Sequence, residues 1–222
     1  MKAIELFGLN IQRSEELLEV HKNSYPHGRP TQKGPAADLL RAVIVFSMAA
    51  LDAYIHRRIV EAVKRVLTLR KRVPEKCIDQ ISKKFKEKDG YREILNLSIQ
   101  KNPENRILRL LNESLSPMTF QKPEQIKLLF EMAELQEETS WKQINRFLKN
   151  RPGKKKKGRK RDAKSILLSL ADRRNDIVHE ADMYFSKKYQ GKIKSINRKE
   201  VRDDLGKLRR IVLAIEKISE IS

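Results

Sequence analysis

A small polar cluster, Arg174, Asn175 and His179, interrupts a helix-forming segment of the chain. Arginine keeps its charge and offers a planar fork of donors to a phosphate or a carboxylate. Histidine can take up and release a proton near neutral pH, and asparagine can orient a polar group. Residues 175 and 179 share a helix face because they are four apart. Together these residue types suit acid–base chemistry on a phosphate ester.

The helix predicted to carry this cluster spans residues 163 to 181. Arg174 falls on its apolar side, where the helical period predicts a buried apolar residue. Because a guanidinium keeps its proton on burial, it needs a carboxylate, a phosphate or several carbonyls nearby. The helix alone favours a purely structural interpretation, in which Arg174 pairs with Asp52 or Asp176 and His179 bonds to carbonyls or is stabilised by the dipole at the helix end.

The net charge of the chain favours a polyanionic partner. It carries 49 Lys and Arg against 29 Asp and Glu, for a formal charge of +20 over 222 residues. Such a charge attracts nucleic acid and makes its binding salt-dependent. A basic surface that serves only solubility is the alternative, which this excess disfavours.

Residues 151–161 form a run made only of Arg, Lys, Gly and Pro. With no apolar side chain to pack, this run is predicted to be a mobile loop. It leads directly into the helix of the polar cluster, so its cations are candidate RNA-binding residues; the alternative is a solvated spacer. These cations are Lys154, Lys155, Lys156, Lys157, Arg159, Lys160 and Arg161.

The composition predicts an all-α fold, since Gly and Pro number only 8 each and good helix formers dominate. We expect a single domain over residues 1–222, with an N-terminal arm over 1–34 that precedes a long, mostly apolar helix over 36–72. A further helical run is predicted within 124–150. The last helix is predicted to begin after Asn197, a good N-cap residue.

Cysteine and histidine usage argue against disulfide and metal sites. Cys77 is the single cysteine, and the four histidines have no metal-ligand spacing. We therefore expect no metal and no cofactor. The start of the chain does not read as a signal peptide, and the longest apolar run is about half of what a bilayer requires, so a cytoplasmic location is expected.

The segment RNDIVHE, between a long apolar helix and a final amphipathic helix, resembles the HEPN superfamily. Arg174, Asn175 and His179 match the family's Arg, polar residue, spacer and His motif. The segment FSMAALDAYIHRRI, with Asp52 and Tyr54, is similar to the long helix of many HEPN proteins. The resemblance covers about residues 36–72 and 163–218 and is to the RiboL-PSP-HEPN and toxin-type members.

The resemblance implies a HEPN-like helical bundle that forms a symmetric homodimer, in which two motifs build one RNA cleft. Such proteins are usually metal-independent endoribonucleases, here acting on tRNA or other cellular RNA as a toxin or antiphage effector. Arg174 and His179 would be catalytic, Asn175 would position the scissile phosphate or the opposite motif, and Asp52 would orient Arg174 or His179. Asp176 is a weaker candidate for that orienting task.

The chain departs from one pattern of the family's toxins. Where those controlled by nucleotidyltransferase antitoxins carry a modified tyrosine, this chain has Ala181, and the nearest tyrosine is Tyr184. An antitoxin or other regulatory protein stays a possible partner. The leading alternative function is a catalytically silent HEPN module that binds RNA or protein, and a helical DNA-binding protein ranks below it.

Overall fold

A computed structural model describes residues 1–27, 30–70, 72–83, 92, 96, 103–149, 162–180, 182–183 and 192–221. In these parts of the chain, eight helices have both ends defined. Beside them the described residues form two isolated antiparallel bridges, Thr31 with Ile196 and Met183 with Ile193, and no longer strand. The prediction of an all-α fold is confirmed.

The eight helices follow one another in chain order. Their bounds are α1 Ala3–Ser24, α2 Pro35–Arg70, α3 Glu75–Ser82, α4 Pro103–Leu115, α5 Pro123–Met132, α6 Glu137–Lys149, α7 Ala163–Glu180 and α8 Arg198–Ile221. The bounds of α7 and α8 agree closely with those predicted from the sequence.

Proline and capping residues explain several helix starts. Pro35, Pro103 and Pro123 each occupy the first position of a helix, where the missing N–H costs no hydrogen bond. Gly34 has a φ of +86°, a conformation that glycine adopts without strain, and α2 begins directly after it. Asn197 Oδ1 accepts a 2.9 Å hydrogen bond from the Glu200 N–H, which confirms the predicted cap of α8.

The helical run predicted within 124–150 is two helices rather than one. The chain turns at Glu134, whose φ is +56°. The Leu135 N–H donates to the Phe130 carbonyl at 2.8 Å and the Glu134 N–H donates to the Glu131 carbonyl at 3.2 Å, which is a Schellman ending. The sequence gives little signal for this break because glutamate stands where glycine is usual.

The core is built around α2, which is buried along most of its length against α1, α4, α5, α7 and α8. Residues 1–34 were predicted to be an N-terminal arm, and the structure corrects this for α1. Phe7 and Ile11 of α1 lie in the main core, with the Phe7 ring 5.9 Å from that of Tyr54 on α2. Since α1 buries its apolar face against α2, it is part of the bundle.

A second apolar cluster positions the C-terminal end of α7. Ile177 of α7 packs against a cluster that contains Leu40 and Ile44 from the first half of α2 and Val201 of α8. Farther back on α7, Leu167 lies in the main core with later residues of α2. The two helices are therefore antiparallel, and the end of α7 lies beside the beginning of α2.

Candidate active site

The three motif residues lie in the last two turns of α7. Arg174 and Asn175 are partly buried, and His179 is exposed near the helix end. Nη1 of Arg174 donates to Oδ1 of Asn175 at 3.1 Å. The asparagine thus orients the guanidinium, and both side chains reach the surface on the same end of the helix as His179.

The structure excludes a buried ion pair of Arg174 with Asp52 or Asp176. Each of these carboxylates is engaged elsewhere, and within the described residues Arg174 pairs with no acid. The guanidinium charge is therefore not neutralised by a carboxylate of the described chain, so it can meet an anion brought by a ligand.

The apolar side of α7 leaves the core before the helix ends. Leu167 and Leu170 are buried, with 0% and 4% of their surface exposed, whereas Val178 is 46% exposed. Val178 lies one helical turn beyond Arg174. An exposed valine beside an arginine and a histidine gives this surface a mixed apolar and cationic character.

Asp52 does not meet the motif in the single chain, which corrects the expectation that it orients Arg174 or His179. Its Oδ1 accepts a hydrogen bond from the Phe120 N–H and lies 4.0 Å from Nε2 of His56. His56 contacts the same loop, with Nε2 3.0 Å from the Met118 carbonyl and its ring edge-on to Phe120. Both side chains therefore hold the loop before α5.

The antiparallel packing explains why Asp52 is remote. Ile44 and Leu170 line the same cleft, so these two residues mark where α2 and α7 meet. Asp52 lies eight residues farther along α2, and Arg174 lies four residues farther along α7 in the opposite direction. With a helical rise of about 1.5 Å per residue, they are roughly 15–20 Å apart along the helix axes.

Asp176, the second candidate for orienting the motif, forms an ion pair with Lys194 instead. Lys194 precedes the bridge of Ile196 with Thr31 in the segment that leads to α8. Asp176 therefore fastens α7 to this segment, and its carboxylate is directed away from Arg174.

A buried carboxylate that the sequence analysis did not single out lies directly after α7. Asp182 is 0% exposed, and its Oδ2 accepts from Nε of Arg41 at 2.9 Å and from Nη2 of Arg173 at 2.8 Å. Arg41 also donates to the Gln32 and Lys194 carbonyls at 2.8 and 3.1 Å. We call Arg41, Arg173 and Asp182 the anchor cluster.

One signal for the anchor cluster is present in the sequence. Arg41 is a lone cation in the apolar run LLRAVIVF of α2, and such a residue requires a buried partner. Sequence alone does not identify that partner, because Asp182 lies 141 residues away. The arginine adjacent to the motif, Arg173, is the one that enters the cluster.

Several predicted features lie outside the described residues. These are the basic loop over 151–161, with Lys154 to Lys157, Arg159, Lys160 and Arg161, and the positions Ala181 and Tyr184. Among the residues that are described, no three His, Cys, Asp or Glu side chains come together as a metal site. Nor is any helix in the described ranges long and apolar enough to cross a membrane.

The fold and the motif define the class: an all-α bundle whose next-to-last helix ends in an Arg-Asn-x-x-x-His sequence. The family model described as RiboL-PSP-HEPN matches residues 9–220. The chain belongs to the RiboL-PSP-HEPN family. No significant match was found among curated proteins or solved structures.

The contrast between two arginines gives a stability test. We expect Arg174→Gln to change the free energy of unfolding by less than about 0.5 kcal/mol, as at an ordinary surface position. Arg41→Gln should lower it by about 3 kcal/mol, because it leaves part of the charge of a buried pair uncompensated. Urea unfolding of both variants measures the difference. If both variants lose the same free energy of unfolding, Arg174 belongs to the packed interior.

Proposed function

We propose that this protein is a metal-independent endoribonuclease of a toxin or antiphage defence system, and that it acts as a homodimer with two motifs in one cleft. One observation carries the proposal. Arg174, oriented by Asn175, and His179 reach the surface at one helix end, and no acid of the described chain neutralises the guanidinium. Membership of the family supports it, since HEPN domains are frequently ribonucleases.

The residues suit cleavage by the neighbouring 2'-hydroxyl of RNA. The 2'-oxygen bonds to phosphorus while the bond from phosphorus to the 5'-oxygen breaks. The hydroxyl loses its proton to a base, and the departing oxygen gains one from an acid. His179 suits either task, and a symmetric dimer supplies two such histidines. The products carry a 2',3'-cyclic phosphate and a 5'-hydroxyl.

Arg174 suits stabilisation of the charge that develops on the phosphoryl oxygens. Its fork of donors matches two oxygens at once, and such bonds are strong where water is partly excluded. Asn175 holds the fork in place through its Oδ1, so the guanidinium is oriented before the substrate binds. The overall charge of +20 attracts RNA whatever its nucleotide sequence.

The dimer part of the proposal rests on the surface around the motif. Val178 of α7 and Phe46 of α2 are large apolar side chains that are 46% and 37% exposed. Phe46 and Ile177 line a groove of about 590 Å³ beside the end of α7. A second copy would cover this apolar surface and bring its own motif near the first.

Cleavage of RNA tests the reaction. We expect purified protein to cut tRNA or total RNA in EDTA, and His179→Ala to slow cleavage by at least about 100-fold, the usual contribution of an acid–base residue. His27→Ala, at another exposed histidine, is the matched control. Mass spectrometry of the fragments should find cyclic phosphate ends.

Two results would count against this reaction. If EDTA inhibits cleavage and magnesium restores it, the metal-independent mechanism is contradicted. Intact RNA that nevertheless binds the protein would favour the catalytically silent HEPN module instead.

A charge placed on the proposed dimer surface tests the assembly. We expect Val178→Glu to give monomers, because a carboxylate would be buried between two copies without a partner. Leu213→Glu is the control, since Leu213 on α8 is 47% exposed and far from the motif along the bundle. Light scattering after size exclusion reports the mass. A dimeric Val178→Glu protein would require a different interface.

The basic loop can be tested although it lies outside the described residues. Replacing Lys154 to Lys157 by Gln or Ser should weaken RNA binding and lower the slope of log affinity against log salt by about 0.7 per lost phosphate contact. The control removes the same charge from four exposed lysines on other helices, Lys22, Lys64, Lys142 and Lys217. Equal effects of both sets would make the loop a spacer without a specific task.

A further inference from the structure

The anchor cluster uses nearly every polar group of Asp182. Besides the two arginine bonds to Oδ2, its N–H donates to the Asp176 carbonyl at 2.8 Å and its carbonyl accepts from the Lys194 N–H at 2.8 Å. Only Oδ1 lacks a hydrogen-bond partner in the described part of the chain. Hydrogen bonds at its N–H, its carbonyl and its carboxylate therefore hold Asp182 in one arrangement.

The bonds of Asp182 join three parts of the fold. Two of them return to α7, through the side chain of Arg173 and the carbonyl of Asp176. The others reach Arg41 on α2 and Lys194 in the segment before α8. The last turn of α7 is thus tied to its neighbours from both sides, and His179 lies between Asp176 and Asp182 in the chain.

The backbone of Asp182 supports this interpretation. Its φ of +59° is a left-handed conformation that costs a residue other than glycine some strain. Such a conformation persists only where the surroundings hold it. Here the two arginines hold a carboxylate with no exposed surface, so Asp182 itself is fixed in place.

We propose that Asp182 is a positioning residue that sets the end of α7, and with it the placement of His179 relative to Arg174. The inference rests on the proposed function for its kinetic consequence, but the placement of His179 can be measured without any activity. Asp182 acts here through the backbone and through Arg173, and it does not contact the substrate.

The test compares Asp182→Asn with Asp38→Asn in the full chain. Both changes remove a carboxylate bonded to Arg41, but the side chain of Asp38 is 71% exposed, whereas that of Asp182 is 0% exposed. In spectra of protein with ¹³C-labelled histidine, we expect Asp182→Asn to shift the ring resonance of His179. The ring resonances of His21 and His56 should keep their chemical shifts in Asp182→Asn. Asp38→Asn should change the chemical shift of none of these three histidines.

Kinetics add a second readout. A small displacement of a reacting group can cost about 100-fold in rate, so Asp182→Asn should slow single-turnover cleavage by about that factor. RNA affinity should hardly change, because the phosphate-binding cations are still present. If the wild-type protein does not cut RNA, the proposed function fails, while the His179 resonance still decides the positioning role.

A milder variant covers the case in which Asp182→Asn does not fold. Arg173→Gln removes one of the two bonds on Oδ2 and leaves that of Arg41, and it should shift the His179 resonance in the same way by a smaller amount. An unmoved His179 resonance in folded Asp182→Asn, or in Arg173→Gln where the first does not fold, would overturn the inference.

Discussion

The shared carboxylate of Asp182 is the contact on which the geometry of the candidate site depends. It lies where α2, the end of α7 and the segment before α8 meet, and it is withdrawn from solvent with one oxygen bonded to two arginines. A buried acid is tolerated there because both arginines keep their charge and offer several donors in fixed directions. Among the described residues, loss of this carboxylate would leave only the exposed Asp38 as an acidic partner of the largely buried Arg41.

The arginines of the cluster also satisfy backbone groups. Arg41 bonds to the carbonyls of Gln32 and Lys194, and Arg173 bonds to that of Ser195 at 3.2 Å. These carbonyls lie outside the helices, in the segments directly before α2 and α8. The cluster thus satisfies polar backbone groups of these segments, and it links them to the helix that carries the motif.

Adjacent arginines on α7 have opposite roles because of the helical period. Successive residues on a helix are turned by about 100°, so Arg173 points toward Asp182 while Arg174 points to the surface with Asn175. Arg173 is bound to a buried carboxylate, whereas Arg174 can bind an anion brought by a ligand. The end of α7 is tied to its neighbours through Arg173, and among the described residues no acid neutralises the guanidinium of Arg174.

The sequence by itself determined the all-α class, the bounds of α7 and α8, the cap at Asn197 and the motif that marks the family. These features depend on local period, capping chemistry and residue type, which are readable along the chain. Only the tertiary structure decided that Asp52 serves the loop before α5, that Asp176 pairs with Lys194, and that Asp182 joins Arg41. Such pairings depend on how segments that are distant in the sequence pack together. The periodicity of one helix does not identify which residue of another segment will pair with a charged side chain.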